Sequence, residues 1–330
     1  QEDFEHFCRI VDMSCVPLLT FNSDRSFKNN HAINDLYGKQ KIFETGDEMD
    51  ARDVVIGKFI GGGFSGSMTA DSVYNYTLPV GLTITGDIIG GSQNAHFKYI
   101  ETQGDSIGIV REYIGGFLPY NKDIKQYHRL QLNIFCQFAP IKKITDREGE
   151  TYFTGSNIFG GCYDYGIIHG AASINMHSDM VGKEYSSVAS LSELASQNIE
   201  CCQIYGAGKG KNTEVIGNTY VSLSGAYFNG EKSIPNLINV YGGSMEGRVI
   251  GKSNVVCDFQ VSGATATDAV SHGIWNKAYG GGRMGDVIGE SLLIPGLKAP
   301  AGVGTTVRVY SGQINEVFGG ARMANIEGGS

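Results

Sequence analysis

Ile238-Asn239-Val240-Tyr241-Gly242-Gly243-Ser244-Met245-Glu246-Gly247-Arg248-Val249-Ile250-Gly251 is the stretch whose reading decides the fold. It is an apolar–aromatic pair, a Gly-Gly, a short spacer and then Val-Ile-Gly. The phrase recurs along the chain. Ile204-Tyr205-Gly206-Ala207 leads to Val215-Ile216-Gly217, and Ala278-Tyr279-Gly280-Gly281 leads to Val287-Ile288-Gly289. Val317-Phe318-Gly319-Gly320 opens a further copy, and looser copies stand at Phe59-Ile60-Gly61-Gly62, Ile88-Ile89-Gly90-Gly91, Tyr113-Ile114-Gly115-Gly116 and Ile158-Phe159-Gly160-Gly161. A recurring unit of this size fixes the architecture before any residue is given a role.

The first glycine of the phrase falls at 206, 242, 280 and 319, at intervals of 36, 38 and 39 residues, while earlier intervals scatter from 25 to 46. Between phrases the pattern alternates. Val255, Cys257, Phe259 and Val261 alternate with Val256, Asp258 and Gln260, and Val221 and Leu223 alternate with Tyr220, Ser222 and Ser224. This is the period-two signature of a strand with one buried face. Only Ser187 to Gln197 shows a helical period, and it reads as an insertion. A propeller blade has a similar length but needs hairpin turns at regular places. Here Asn229-Gly230 is the only Asn-Gly and there is no Asp-Gly. The Gly-Gly pairs read instead as corners of a chain that always turns the same way, with glycine supplying the positive φ. Each interval is expected to hold two coils of roughly 18–20 residues.

The composition fits a folded, repetitive chain. Glycine numbers 47 of 330 residues, about twice the usual share, and proline only 7. The net charge of −8 argues against a nucleic-acid surface. No run approaches the roughly 18 apolar residues of a membrane span, and there is no basic-then-apolar leader. Starting at Gln1 and stopping at Glu327-Gly328-Gly329-Ser330, the chain reads as a piece of something longer. The seven cysteines show no C-x-x-C pair, so no zinc site is expected; Cys257 reads as a small core residue, and Cys8 with Cys15 is the one pairing considered.

Motifs that invite chemistry fail on inspection. Gly206-Ala207-Gly208-Lys209-Gly210-Lys211-Asn212-Thr213 lacks the first glycine and the immediate hydroxyl of a phosphate loop, and Lys211 breaks the dinucleotide pattern. Gly281-Gly282-Arg283-Met284-Gly285-Asp286 approaches a calcium nonapeptide, but Met284 replaces a glycine and the equivalent places elsewhere hold Arg248 and Glu214. No aspartate pair suited to acid–base work is present, and His169, His177 and His272 read as surface or corner residues. No catalytic residue, metal or cofactor is assigned.

The phrases at Val240-Tyr241-Gly242-Gly243 and Ala278-Tyr279-Gly280-Gly281-Gly282, each with its Val-Ile-Gly, resemble the Gly-rich right-handed parallel β-helix repeats of bacterial surface proteins, autotransporter-passenger-like and adhesin-like, of the pectin-lyase-like fold. The resemblance covers roughly 54–330 and carries no catalytic motif. It implies an all-β, single-stranded parallel β-helix of about a dozen coils, some 60 Å long at the strand spacing. Residues 1–53 are expected to be an N-terminal cap, 54–330 the solenoid, and 117–157 and 178–200 insertions, the first with a charged tip at Lys142, Lys143, Asp146, Arg147 and Glu148.

The function the resemblance implies is a non-enzymatic extracellular or cell-surface structural or adhesive segment of a secreted protein. Glycans or other surface proteins are the partners expected. The alternative is a polysaccharide-degrading β-helix enzyme or a phage tail-spike-like carbohydrate binder. Tyr205, Tyr241, Tyr279 and Phe318 recur at one slot and are the candidate binding residues. They form either a corner-packing row or an exposed stripe, with rings roughly 10 Å apart if each repeat holds two coils. The last coil is expected to meet an adjoining domain or another copy end to end.

Overall fold

The computed structural model describes most of residues 54–99, 129–176, 200–258 and 273–329, together with the short antiparallel pairs Thr20–Phe21 with Phe27–Lys28 and Thr102–Gln103 with Ser106–Ile107. The remainder of the expected cap, the Tyr113 phrase, Ser187–Gln197, His177, His272, Cys8 and Cys15 lie outside the described residues. The described part is all-β with no helix, and its principal sheets are parallel.

Three parallel sheets take one strand each from every circuit of the chain. Sheet I is formed by Phe59–Ile60, Ile88–Ile89, Ile158–Phe159, Gln203–Tyr205, Leu237–Tyr241, Gly273–Tyr279 and Gln313–Phe318. Sheet II is formed by Met68–Ala70, Phe97–Tyr99, Tyr165–His169, Asn212–Ile216, Arg248–Ile250 and Val287–Ile288. Sheet III is formed by Val73–Leu78, Arg129–Ile134, Ala171–Met176, Thr219–Ser224, Lys252–Asp258 and Gly304–Ser311. The chain always passes from sheet I to II to III and returns to sheet I one strand further on. In the first circuits a short fourth sheet, Val54–Ile56, Leu82–Ile84 and Gln137–Phe138, precedes sheet I.

One phrase is therefore one circuit, not two. Tyr205 pairs in register with Tyr241, and Tyr241 with Tyr279, with no circuit between them. Among the described residues sheet I has seven strands, where a dozen coils were expected. The interval is long because it holds sheet III strands of six to eight residues, such as Lys252–Asp258 and Gly304–Ser311, and in places an antiparallel pair, Ala226–Phe228 with Glu231–Ser233, or the loop through Leu293, Ile294, Leu297 and Ala299. Part of the interval read as the first insertion belongs to the sheets. Arg129–Ile134 pairs parallel with Val73–Leu78 and Ala171–Met176, and among the described residues of the interval Lys142–Thr145 with Thr151–Thr154 stands out as an antiparallel hairpin.

The alternation read from the sequence sorts the faces. Ile204 and Val240 of sheet I, Val215 and Val249 of sheet II, and Val221, Leu223, Val255 and Cys257 of sheet III are fully buried in one continuous core. Burial pushes the Cys257 thiol up to about 12, so it packs as a neutral apolar group. The Gly-Gly corners work differently from expectation. None of their described glycines has positive φ; Gly217, in the Val-Ile-Gly that turns sheet II into sheet III, does, at 151°. At Gly242 the reason for glycine is close approach, since a Cβ there would run into the carbonyl oxygen of Gly280 one circuit on.

The carbonyls of these corners turn into the core, where each needs a donor. Sheet III supplies one in three consecutive circuits. Thr219 Oγ1 donates to Gly242 O at 2.6 Å, Ser253 Oγ to Gly280 O and Thr305 Oγ1 to Gly319 O. Thr219, Ser253 and Thr305 share one register row, so a buried hydroxyl column ties sheet III to the corner of the next circuit.

Candidate functional site

What a partner meets is the outward face of each sheet. On sheet I the outward residue next to the glycine corner is Ile60 and Ile89 in the first two circuits and aromatic from Phe159 on. Phe159, Tyr205, Tyr241, Tyr279 and Phe318 stack ring on ring, with centroids 5.1, 4.9, 4.8 and 4.9 Å apart and planes within 10° of parallel. This is one strand spacing per step. The rings are not an open stripe. Tyr205, Tyr241 and Tyr279 are buried at 1%, 0% and 5% exposure, and Phe318 alone is open, at 39%. Ile60, Ile89, Tyr163 and Met245 pack against the row. Arg283 is buried beside it, paired with Glu200 and lying against Tyr205 and Tyr241. Of the four candidate binding residues, three are held in a packed ladder and reach a ligand only if their cover moves.

A polar row runs beside the ladder two residues upstream. Asn157 Oδ1 accepts from Gln203 N at 3.2 Å, and Lys277 pairs with Glu316 at 2.9 Å. Gln203 Oε1 accepts from the Tyr205 hydroxyl at 2.7 Å. One circuit on, Asn239 is a methylene shorter. Its Oδ1 is buried without a hydrogen-bond partner, and the Tyr241 hydroxyl finds no acceptor. Asn239→Gln is expected to restore the bond its neighbour makes and to raise stability by about 1 kcal/mol. Urea denaturation checks this, and the gain should vanish in a Tyr241→Phe background.

At the N-terminal end of the same face, Tyr163 ties four circuits together. Its hydroxyl donates to Asp87 Oδ2 at 2.8 Å and accepts from Lys209 Nζ at 2.7 Å. The Lys58 and Lys209 ammonium groups stand 3.8 and 4.0 Å from its ring centroid. Burial, then the hydrogen bond to Asp87, holds this phenol well above its ordinary pKa. The lysine that made Gly206–Thr213 look like a phosphate loop is thus a clasp on Tyr163. Thr213, at the end of that motif, is buried and donates to Gly210 O at 2.7 Å.

Sheet II is covered by the chain itself. Ile167, Ile216, Ile250 and Ile288 form its outward apolar row, and the loop through Leu293, Ile294, Leu297 and Ala299 folds over them. Glu214 locks that loop down. Buried at 2% exposure, its carboxylate accepts from Leu292 N at 2.6 Å, Leu293 N at 3.1 Å and the Ser291 hydroxyl. Asp286, from the calcium-like motif, pairs with Arg248 at 3.9 Å and accepts from Asn325 N at 2.9 Å. Among the described residues no three His, Cys, Asp or Glu side chains converge.

Sheet III presents a different surface. Its first outward row is Asn75, Gln131, Ser173, Tyr220, Asn254 and Thr306, and its second is Thr77, Asn133, Asn175, Ser222, Val256 and Arg308. Arg308, at the end of the stack, is the one charge in either row. Amides bridge neighbouring strands, Asn133 Nδ2 donating to Asn75 Oδ1 at 3.2 Å and Asn175 Nδ2 to Asn133 Oδ1 at 2.9 Å. Tyr220 is 42% exposed, with its hydroxyl accepting from Asn218 Nδ2 at 3.2 Å. These residues escaped the sequence reading as a site because they are simply the polar half of a strand alternation.

The charged tip of the hairpin is a local turn, with Asp146 Oδ1 accepting from Glu148 N and Glu150 N, both at 2.9 Å. Among the described residues no helix is long and apolar enough to cross a membrane. Compared with known proteins, the chain matches no family model, no curated protein and no solved structure.

Proposed function

We propose that residues 54–330 form a right-handed single-stranded parallel β-helix that serves as a non-enzymatic structural or adhesive segment of an extracellular or cell-surface protein, with glycans or other surface proteins as partners. The unvarying passage of the chain through sheets I, II and III supports the β-helix. The use of the acidic side chains supports the absence of catalysis, and this is the observation that carries the functional reading. A glycosidase or lyase needs carboxylates or a metal convergent on an open face. Here Asp87 is held by Tyr163, Glu200 by Arg283, Asp286 by Arg248, Glu316 by Lys277, and Glu214 by backbone N–H groups. Each of these carboxylates ties one part of the fold to another.

The test is incubation with a glycan array and with intact cell surfaces, run beside a reducing-sugar assay on the same polysaccharides. Binding without release of sugar ends is expected. Release of reducing ends in proportion to protein would overturn the reading in favour of a β-helix hydrolase or lyase.

A further inference from the structure

We propose that the outward face of sheet III is the recognition surface and binds a neutral, hydroxyl-rich polysaccharide laid along the stacking direction. This rests on the adhesive reading above and names its surface and ligand class.

Three observations point there. The first is which faces are open. The aromatic ladder of sheet I is buried up to Phe318, and the apolar row of sheet II is roofed by the loop that Glu214 clasps, with Tyr165 at its edge 41% exposed; sheet III has no such roof, and although Thr77 and Ser173 are buried between larger neighbours it leaves Tyr220 42% exposed amid half-exposed amides. The second is charge. The first row is uncharged from Asn75 to Thr306 and the second from Thr77 to Val256, with Arg308 closing the second row and Lys252 at the margin of the face, in a chain with 18% charged residues. A polyanion such as nucleic acid or a sulfated glycan would need lysines or arginines, and a basic partner would need carboxylates. Amides and hydroxyls, which both donate and accept, suit sugar hydroxyls. The third is repeat and geometry. Parallel strands place equivalent side chains at roughly 4.8 Å steps, comparable to one hexose of an extended chain. Tyr220 stands in the middle of the first row, where an aromatic ring can stack on a pyranose face.

The experiment is affinity electrophoresis of the whole chain through gels containing soluble neutral polysaccharides (a β-1,3-glucan, xyloglucan, dextran), with polygalacturonate and heparin as charged controls. Retardation by at least one neutral polymer and by neither charged one is expected. Tyr220→Ala and Asn254→Lys should each weaken that retardation at least tenfold with an unchanged circular-dichroism spectrum, whereas Phe318→Ala, which alters the open ring of the sheet I ladder, should leave it unchanged. Retardation that persists in both sheet III variants, or is lost in Phe318→Ala, overturns the assignment to this face and leaves the adhesive reading standing. Retardation by the charged polymers alone, or by none, overturns the ligand class. Cleavage of the polymer instead overturns the adhesive reading itself.

Discussion

Gly242→Ala is expected to destabilise the protein by more than about 3 kcal/mol and to lower its melting temperature by on the order of 10 °C. A methyl group at this position has no room. It would strike the carbonyl oxygen of Gly280, with Val255 Cγ2 3.1 Å away on the core side. A flexible side chain could swing aside, but a backbone carbonyl cannot. Gly280 O accepts from Ser253, and Gly280 N donates to Phe318 O at 2.9 Å, so its peptides are fixed from both sides. Relief requires neighbouring circuits to part, and that breaks the in-register ladder of sheet I.

The second glycine of the phrase provides the control. A Cβ on Gly243 would lie 2.8 Å from Gly282 N and 3.1 Å from Gly281 C, whereas one on Gly320, the same slot in the last circuit, meets nothing within 4 Å. Gly243→Ala should therefore resemble Gly242→Ala, and Gly320→Ala should stay within about 0.5 kcal/mol of the parent. Because each strand of the three sheets pairs only with the circuits next to it, the loss should be greatest there. Hydrogen exchange should quicken around 237–288 before it quickens at 158–176. Equal effects of Gly243→Ala and Gly320→Ala would show that backbone propensity, not stacking, sets the cost.

This contrast marks where the sequence is legible. Glycine recurrence announces a corner that repeats, and the alternation of Val221, Leu223, Val255 and Cys257 names the core. Both follow from local rules, the period of a strand and the absence of a Cβ. Why the glycine is needed does not follow locally. Positive φ and close approach leave the same letter in the sequence: Gly217 combines the two, with Gly170 2.5 Å from where its Cβ would lie, whereas Gly242 needs glycine for close approach alone. The number of circuits per phrase is hidden for a similar reason. Phrase length counts residues, and wide loops mimic an additional coil.

The candidate site was less legible still. Tyr205, Tyr241 and Tyr279 were visible as a row, but a row of rings looks alike whether it is covered or open, and cover comes from distant residues such as Tyr163, Met245 and Arg283. Tyr220 and Asn254 were visible only as the outward half of strands. Nothing local distinguishes a polar face that stays open from one that a loop will roof. The roof over sheet II is set by Glu214 reaching a loop 77 residues away.

Tyr241→Ala should cost about 3–5 kcal/mol, and Phe318→Ala much less, although both delete a ring from the same row. Tyr241 is sandwiched, with neighbouring centroids at 4.9 and 4.8 Å, and is fully buried. Its removal leaves a cavity between two rings held apart by their own strands, so the site cannot collapse. Phe318 stacks on one side only and already faces water. The stack also ties stability to pH. Burial raises the pKa of the Tyr205, Tyr241 and Tyr279 phenols above the ordinary value of 10.0. In the unfolded chain these phenols ionise above about pH 10, while the folded chain still holds them neutral. The unfolded state then binds fewer protons, so stability is fully present below that pH and declines as pH rises through it. Tyr241→Phe should flatten this alkaline decline while keeping most of the packing, since the ring remains and only a hydroxyl without an acceptor is lost. Thermal melts of the three variants at pH 7 and pH 10.5 separate the contributions. A Tyr241→Ala protein that melts with the parent would mean that the ring row is a surface stripe after all, and that its contribution lies in binding rather than in holding the circuits together.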